Sequence, residues 1–152
     1  MIAGEAKPTR VVMGRLEKGE AVVERLVELA RFEKIDCGFV RGHGVVEEIL
    51  LERYDAAARA YVPLATSVGL DGPWEVVSLQ GNVSLRAGQP EARLWAVLST
   101  SLGGTPRVLA GFLASARAVY LEFAVDVCDD GDLERRDDPV TGLALWRPPR
   151  RR

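Results

Sequence analysis

Hydrophobic and polar positions along this chain follow one helical stretch and a long series of strand-like ones. Residues 9–16 (TRVVMGRL) are β-branched and apolar and predict a first strand. After Gly19-Glu20, the residues Val22, Leu26, Leu29 and Ala30 fall at i, i+4, i+7 and i+8, with Val23 and Val27 beside them. That spacing predicts a helix with one buried stripe. Glu24, Arg25, Glu28, Arg31 and Glu33 take its other face, and Glu28–Arg31 can pair at i, i+3 for about 0.2–0.5 kcal/mol.

Strand signals fill the rest. Residues 37–40 form a short apolar run that ends at Gly42-His43-Gly44, read as a glycine turn before the next strand, 45–54. A short polar link, 55–59, joins that strand to 60–64 and predicts a hairpin. In the strand 74–85, strict alternation puts Glu75, Val77, Leu79, Gly81, Val83 and Leu85 on one side. Trp74, Val76, Ser78, Gln80, Asn82 and Ser84 take the other. Turns at 86–90 and 102–106 bracket a strand at 93–99. A short strand, 107–116, is interrupted by Gly111, and 119–127 alternates Val119, Leu121, Phe123, Val125 and Val127 with more polar partners. Beyond Cys128 the chain reads as extended and polar, anchored by Leu143, Leu145 and Trp146. One early helix followed by closely spaced strands predicts an α+β fold with a mostly antiparallel β-sheet.

The 152 residues suffice for one domain without a disulfide or metal staple. An apolar content of 47% with 28% charged residues excludes a mainly disordered chain. No apolar run approaches the ~18 residues of a membrane span, and the N-terminus lacks the apolar core of a signal peptide. Twenty basic residues against twenty-two acidic ones leave no general excess for a nucleic-acid backbone. Basic residues are nearly all Arg, and Ala, Gly and Val are frequent, which suggests a GC-rich bacterial source. Two cysteines, Cys37 and Cys128, without C-x-x-C fit a reducing cytoplasm, and a bridge between them requires neighbouring strands.

Few residues offer chemistry. Gly42-His43-Gly44 begins like a dinucleotide fingerprint, but the sixth position is Glu47 and no helix follows. His43 is the only histidine, and no G-x-S-x-G accompanies it. Ser78, Ser84, Ser99 and Ser101 read as strand or turn residues, so His43 reads as a turn histidine in or near a pocket rather than a general base. Glu75, on the side of Val77, Leu79 and Val83, is either a hydrogen-bonded buried acid or a strand-end residue that escapes to water. Arg147, Arg150, Arg151 and Arg152 are candidate phosphate contacts, against the plainer reading of a solvated tail.

Residues 72–85 (GPWEVVSLQGNVSL) resemble the G-[PR]-F-E-I-[LV]-S-L-[ST]-G-x-[IV] segment of the plant-and-prokaryote conserved (PPC) domain, which also occurs in plant AT-hook nuclear proteins. Trp74 replaces the Phe and Gln80 the small polar residue. Residues 16–20, 38–44, the Tyr54-Asp55 to Tyr61 hairpin and Val119-Tyr120-Leu121-Glu122 are similar to further family segments in the same order. The resemblance implies a PPC-like domain over 9–146, between an extension at 1–8 and a basic tail at 147–152. It implies a sheet flanked by helices, a homotrimer, and association with itself, with other proteins or with DNA. No AT-hook core is present. Many prokaryotic members carry H-x-H and G-G-H-[LF], whose three imidazoles suit a divalent metal. The matching positions here are Arg93, Trp95 and Phe112, none of which ligates a cation. The expectation is therefore a non-enzymatic interaction module with no metal and no cofactor. The alternative is a small-molecule binder using an aromatic, Arg-edged pocket at these three positions, with Glu75 and His43 nearby. The same region can equally be filled as plain packing.

Overall fold

The computed structural model describes residues 3–64, 72–101, 104–147 and 150–151. Its elements are β1 (Arg10–Leu16), α1 (Val22–Phe32), β2 (Gly38–Asp55), β3 (Ala60–Pro63), β4 (Trp74–Arg86), β5 (Gln89–Thr100) and β6 (Arg107–Val127). Four short strands follow: β7 (Gly131–Asp132), β8 (Glu134–Asp137), β9 (Ala144–Trp146) and β10 (Arg150–Arg151). The pairings are antiparallel except for β4 with β8, so the sheet is mostly antiparallel as the alternation predicts. The resemblance implied flanking helices. Among the described residues α1 is the one helix, because only residues 22–30 carry an apolar stripe of helical period.

The hydrogen-bonded path from β2 to β6, β5 and β4 returns to β2, so these four strands close a ring. Closure needs long, bent strands. β2 runs through Gly42-His43-Gly44 without a turn: the glycines admit the crossing of β6 rather than reverse the chain. A Cβ at Gly42 would lie 2.8 Å from the Glu122 carbonyl oxygen, and one at Gly44 would overlap that of Tyr120. Beyond it the register against β6 shifts twice between Val45 and Leu50, with Glu48 at φ 51°, and the strand passes from β4 to β3. β6 is likewise one strand where two were expected; at Gly111 the backbone carbonyl of Glu52 approaches too closely for a side chain.

The core fills this ring and the gap under α1. Val22, Leu26 and Ala30 of the helix belong to one buried cluster with Leu94, Leu98, Ala118 and Leu121 of β5 and β6. The outer face of α1 is tied differently from expectation. Arg25, not Arg31, pairs with Glu28 (2.5 Å) and also reaches Glu20 (2.6 Å). Arg10 of β1 clamps the helix end through Glu33 (2.8 Å) and binds Asp129 (3.1 Å).

Cys37 and Cys128 are free thiols, buried with Leu133, and the Cys128 amide donates to the Cys37 carbonyl at 2.9 Å. Burial pushes the Cys37 thiol up to about 12, with the adjacent Cys128 adding to the effect. A thiol that keeps its proton only when folded stabilises the fold fully below the unfolded thiol pKa. That contribution is lost as pH rises from there towards about 12. The stability advantage of wild type over Cys37→Ala, measured by urea unfolding, is expected to shrink between pH 8 and pH 10.5. A constant difference would contradict this linkage.

Candidate functional site

The strand registers line up one row across the outside of the ring. Met13 lies opposite Ala124, Ala124 opposite Arg41, Arg41 opposite Gln80, Gln80 opposite Trp95, and Trp95 opposite Phe112. Period-two alternation sends these side chains outward, since Leu79, Leu94, Phe123 and Val125 between them are buried. Met13 is 79% exposed and Trp95 39%, and the neighbouring Phe39 is 43% exposed. Shallow grooves interrupt this face, and two of them matter here. One, of about 390 Å³, is lined by Arg41, His43, Ser78, Gln80 and Glu122 among others. The other, of about 570 Å³, lies between Phe39, Gln80, Asn82, Trp95 and Trp146. Arg41 and Asp126 form an ion pair on its wall.

Arg93, Trp95 and Phe112 come together. The Trp95 and Phe112 rings meet edge to face at 5.4 Å, and Tyr61 of β3 lies 4.7 Å from Phe112. The Arg93 guanidinium stands over both the Phe112 ring (5.2 Å) and the Tyr61 ring (5.4 Å). Although Arg93 belongs to the outer face, it is only 8% exposed, because the β8–β9 hairpin covers this corner of the sheet. The hairpin brings a second guanidinium, Arg135, which is 6% exposed. Arg135 donates through Nε to Ser84 Oγ (2.7 Å), through Nη2 to Asn82 Oδ1 (2.7 Å) and through Nη1 to the Ala144 carbonyl (3.0 Å). Arg93 Nη1 donates to the same carbonyl at 3.3 Å. Burial, and then the Arg93 charge, push the Arg135 guanidinium down to about 10. The Trp146 ring covers Arg135 at 5.7 Å and touches Phe39 edge to face at 6.1 Å.

Sequence reasoning missed Arg135, Asn82, Ser84 and Tyr61 as a group. Arg135 sits among acidic residues in the segment beyond Cys128 that reads as extended and polar. The available signal was Leu133, two residues before it, which shares its buried side.

The other candidates stand apart from this cluster. Glu75 is exposed. A register shift between Val76 and Ser78 reverses the phase of β4, so Trp74 and Val76 face inward before it and Leu79 after it. His43 is exposed on the smaller groove, its Nδ1 3.9 Å from Glu122 Oε2, which is beyond hydrogen-bond distance. Arg147 is exposed, and its amide donates to the Glu134 carbonyl at 2.8 Å. Arg150 and Arg151 are not a free tail: their backbone pairs with Asp132 and Gly131 in β7. Arg152 lies outside the described residues.

The sequence of residues 3–128 matches the Plants and Prokaryotes Conserved (PCC) domain, the family abbreviated PPC above. The chain belongs to this family. Solved PCC-like structures superpose on nearly its whole length. A plant- and prokaryote-conserved protein from Pyrococcus horikoshii is 24% identical, with a TM-score of 0.83 and 96% of each chain covered. A metal-containing protein from Archaeoglobus fulgidus is 27% identical, with a TM-score of 0.86, covering 96% of this chain and 99% of its own. A "putative DNA binding protein" from Bacteroides thetaiotaomicron is 22% identical, with a TM-score of 0.77 and 90% of each chain covered. No curated protein matches the sequence. Among the described residues of this PCC domain, no three His, Cys, Asp or Glu side chains stand together as a metal site, and no helix is long and apolar enough to cross a membrane. The three positions where the family pattern places imidazoles do not fit a cation here. Arg93 repels it, and Trp95 and Phe112 have no ligand atom.

Proposed function

We propose that this PCC domain is a non-enzymatic, homotrimeric interaction module of the cytoplasm, and that its outer sheet face makes the contacts. The observation that carries this reading is the exposed row from Met13 to Trp95, continued by Phe39, Trp146 and, on the edge strand β1, Val11. Exposed aromatic and aliphatic groups clustered on one sheet face favour burial against another protein surface. The charges among them, Arg41 and Asp126, are already paired, which lowers the cost of removing water from the face. Trimer formation would also cover the unpaired edge of β1. Two buried free thiols suit a reducing compartment.

Association with DNA is the weaker reading for this chain. It is supported by the name of the Bacteroides relative. Against it stand the net charge of −2 and the position of Arg150 and Arg151, whose backbone lies along Asp132 of an acidic segment.

Light scattering coupled to size exclusion at micromolar concentration is expected to give about three chain masses. Phe39→Glu, which places a charge on the face without touching the core, is expected to shift the population to monomer while leaving the circular dichroism spectrum unchanged. A monomeric wild-type protein would overturn the proposal.

A further inference from the structure

Two arginines buried side by side need negative charge, and the described residues supply little. The Arg135 hydrogen bonds all end on uncharged oxygens: Ser84 Oγ, Asn82 Oδ1 and the Ala144 carbonyl. That one carbonyl also accepts from Arg93, so a single neutral oxygen stands between two guanidinium groups. The nearest carboxylate is Glu91, whose Oε1 is 3.8 Å from Arg93 Nη1 and is outside hydrogen-bond distance. Arg93 Nε is buried with no acceptor at all. One carboxylate beside two guanidiniums leaves a net positive charge in a place shielded from water, which is costly unless an anion completes it.

We propose that Arg93 and Arg135 form a binding site for a small oxyanion, a carboxylate or phosphate group, at the covered corner between β4, β5 and the β8–β9 hairpin. A guanidinium fork matches the paired oxygens of either group: Arg93 brings the Nε that has no acceptor and is held by the Tyr61 and Phe112 rings, and Arg135, fixed by Ser84 and Asn82, adds its charge. Asn82, the acceptor of Arg135, also lines the larger groove, whose walls include Trp95 and Trp146. The apolar body of an organic anion would lie there, against the rings, with its charge towards the arginines. The arginine pair is complete within one chain, and the groove beside it opens on the face assigned above to subunit contacts.

The test is thermal unfolding of the full chain at fixed ionic strength in chloride, acetate, benzoate and inorganic phosphate, with tryptophan fluorescence titration on the same samples. At least one probe is expected to saturate and to raise the Tm by roughly 5 °C at a hundredfold excess over Kd. A response to benzoate and acetate identifies a carboxylate site, and a response to phosphate alone a phosphate site. Arg93→Lys, which keeps the charge but loses the fork, is expected to weaken binding about tenfold, and Arg93→Met to abolish the shift. Arg25→Met, which removes a surface cation of α1 outside both grooves, should leave it in place. The proposal is overturned if no probe moves wild type beyond the chloride control. It also falls if the shift survives in Arg93→Met, or if Arg25→Met removes it as completely.

Discussion

Alanine at Gly81 is expected to cost about 3 kcal/mol or more, the upper range for forcing atoms into a packed site. Gly81 lies opposite Leu94 in the β4–β5 ladder. A Cβ there would overlap the Arg93 carbonyl oxygen and stand 2.9 Å from Leu94 Cα. Both contacts are backbone, so no side chain can swing away. The only relief is to part β4 from β5, and these strands close the ring. Gly88, in the turn between the same strands, is the control. It has φ +75° and open space around it, so Gly88→Ala meets conformational strain alone, about 1 kcal/mol. Urea midpoints of the two variants against wild type decide the matter. Equal losses would mean that the β4–β5 approach is looser than described.

Replacing Arg135 by Met is expected to destabilise the protein by about 3 kcal/mol. Methionine approximates the length of the side chain but donates nothing. Ser84 and Asn82, both buried, lose their donor, and Ala144 keeps only the longer contact from Arg93. The Trp146 ring loses the cation beneath it. One term opposes these: repulsion between Arg135 and Arg93 disappears. The three hydrogen bonds outweigh it, because Ser84 and Asn82 are buried and each loses a charged donor. Denaturant unfolding with Trp fluorescence measures the sum. A loss below about 1 kcal/mol would mean that mutual repulsion nearly cancels the hydrogen bonds.

Much of this architecture is legible in the sequence, and what is not has identifiable physical causes. The apolar spacing from Val22 to Ala30 has one reading, because no strand repeats at four and seven. The Asp55 turn announces its hairpin: the carboxylate accepts from the Ala57 and Ala58 amides at 2.9 Å each, and this holds it below the usual carboxylate range. Bulges break the strand reading. Alternation assumes a constant phase, and one extra residue near Val77 was enough to send Glu75 to solvent. Glycine misled for a similar reason: at Gly42 and Gly44 it signals a neighbouring backbone, not a reversal. The resemblance named Arg93, Trp95 and Phe112, which the structure brings together, yet it could not name their cover. Arg135 and Trp146 reach the cluster through the pairing of β8 with β4 and of β9 with β8, contacts that alternation along one strand does not encode.

The position of β1 has a consequence for how the molecule is made. Its partner is the C-terminal end of β6, Leu121–Val127, so a strand made early in this domain pairs with one made much later. Until those residues emerge, Val12 and Leu16 have nothing to dock on, and the closed circuit of strands lacks its longest member. Folding of this domain during synthesis is therefore deferred until β6 has emerged, and its earlier strands are exposed to chaperones until then.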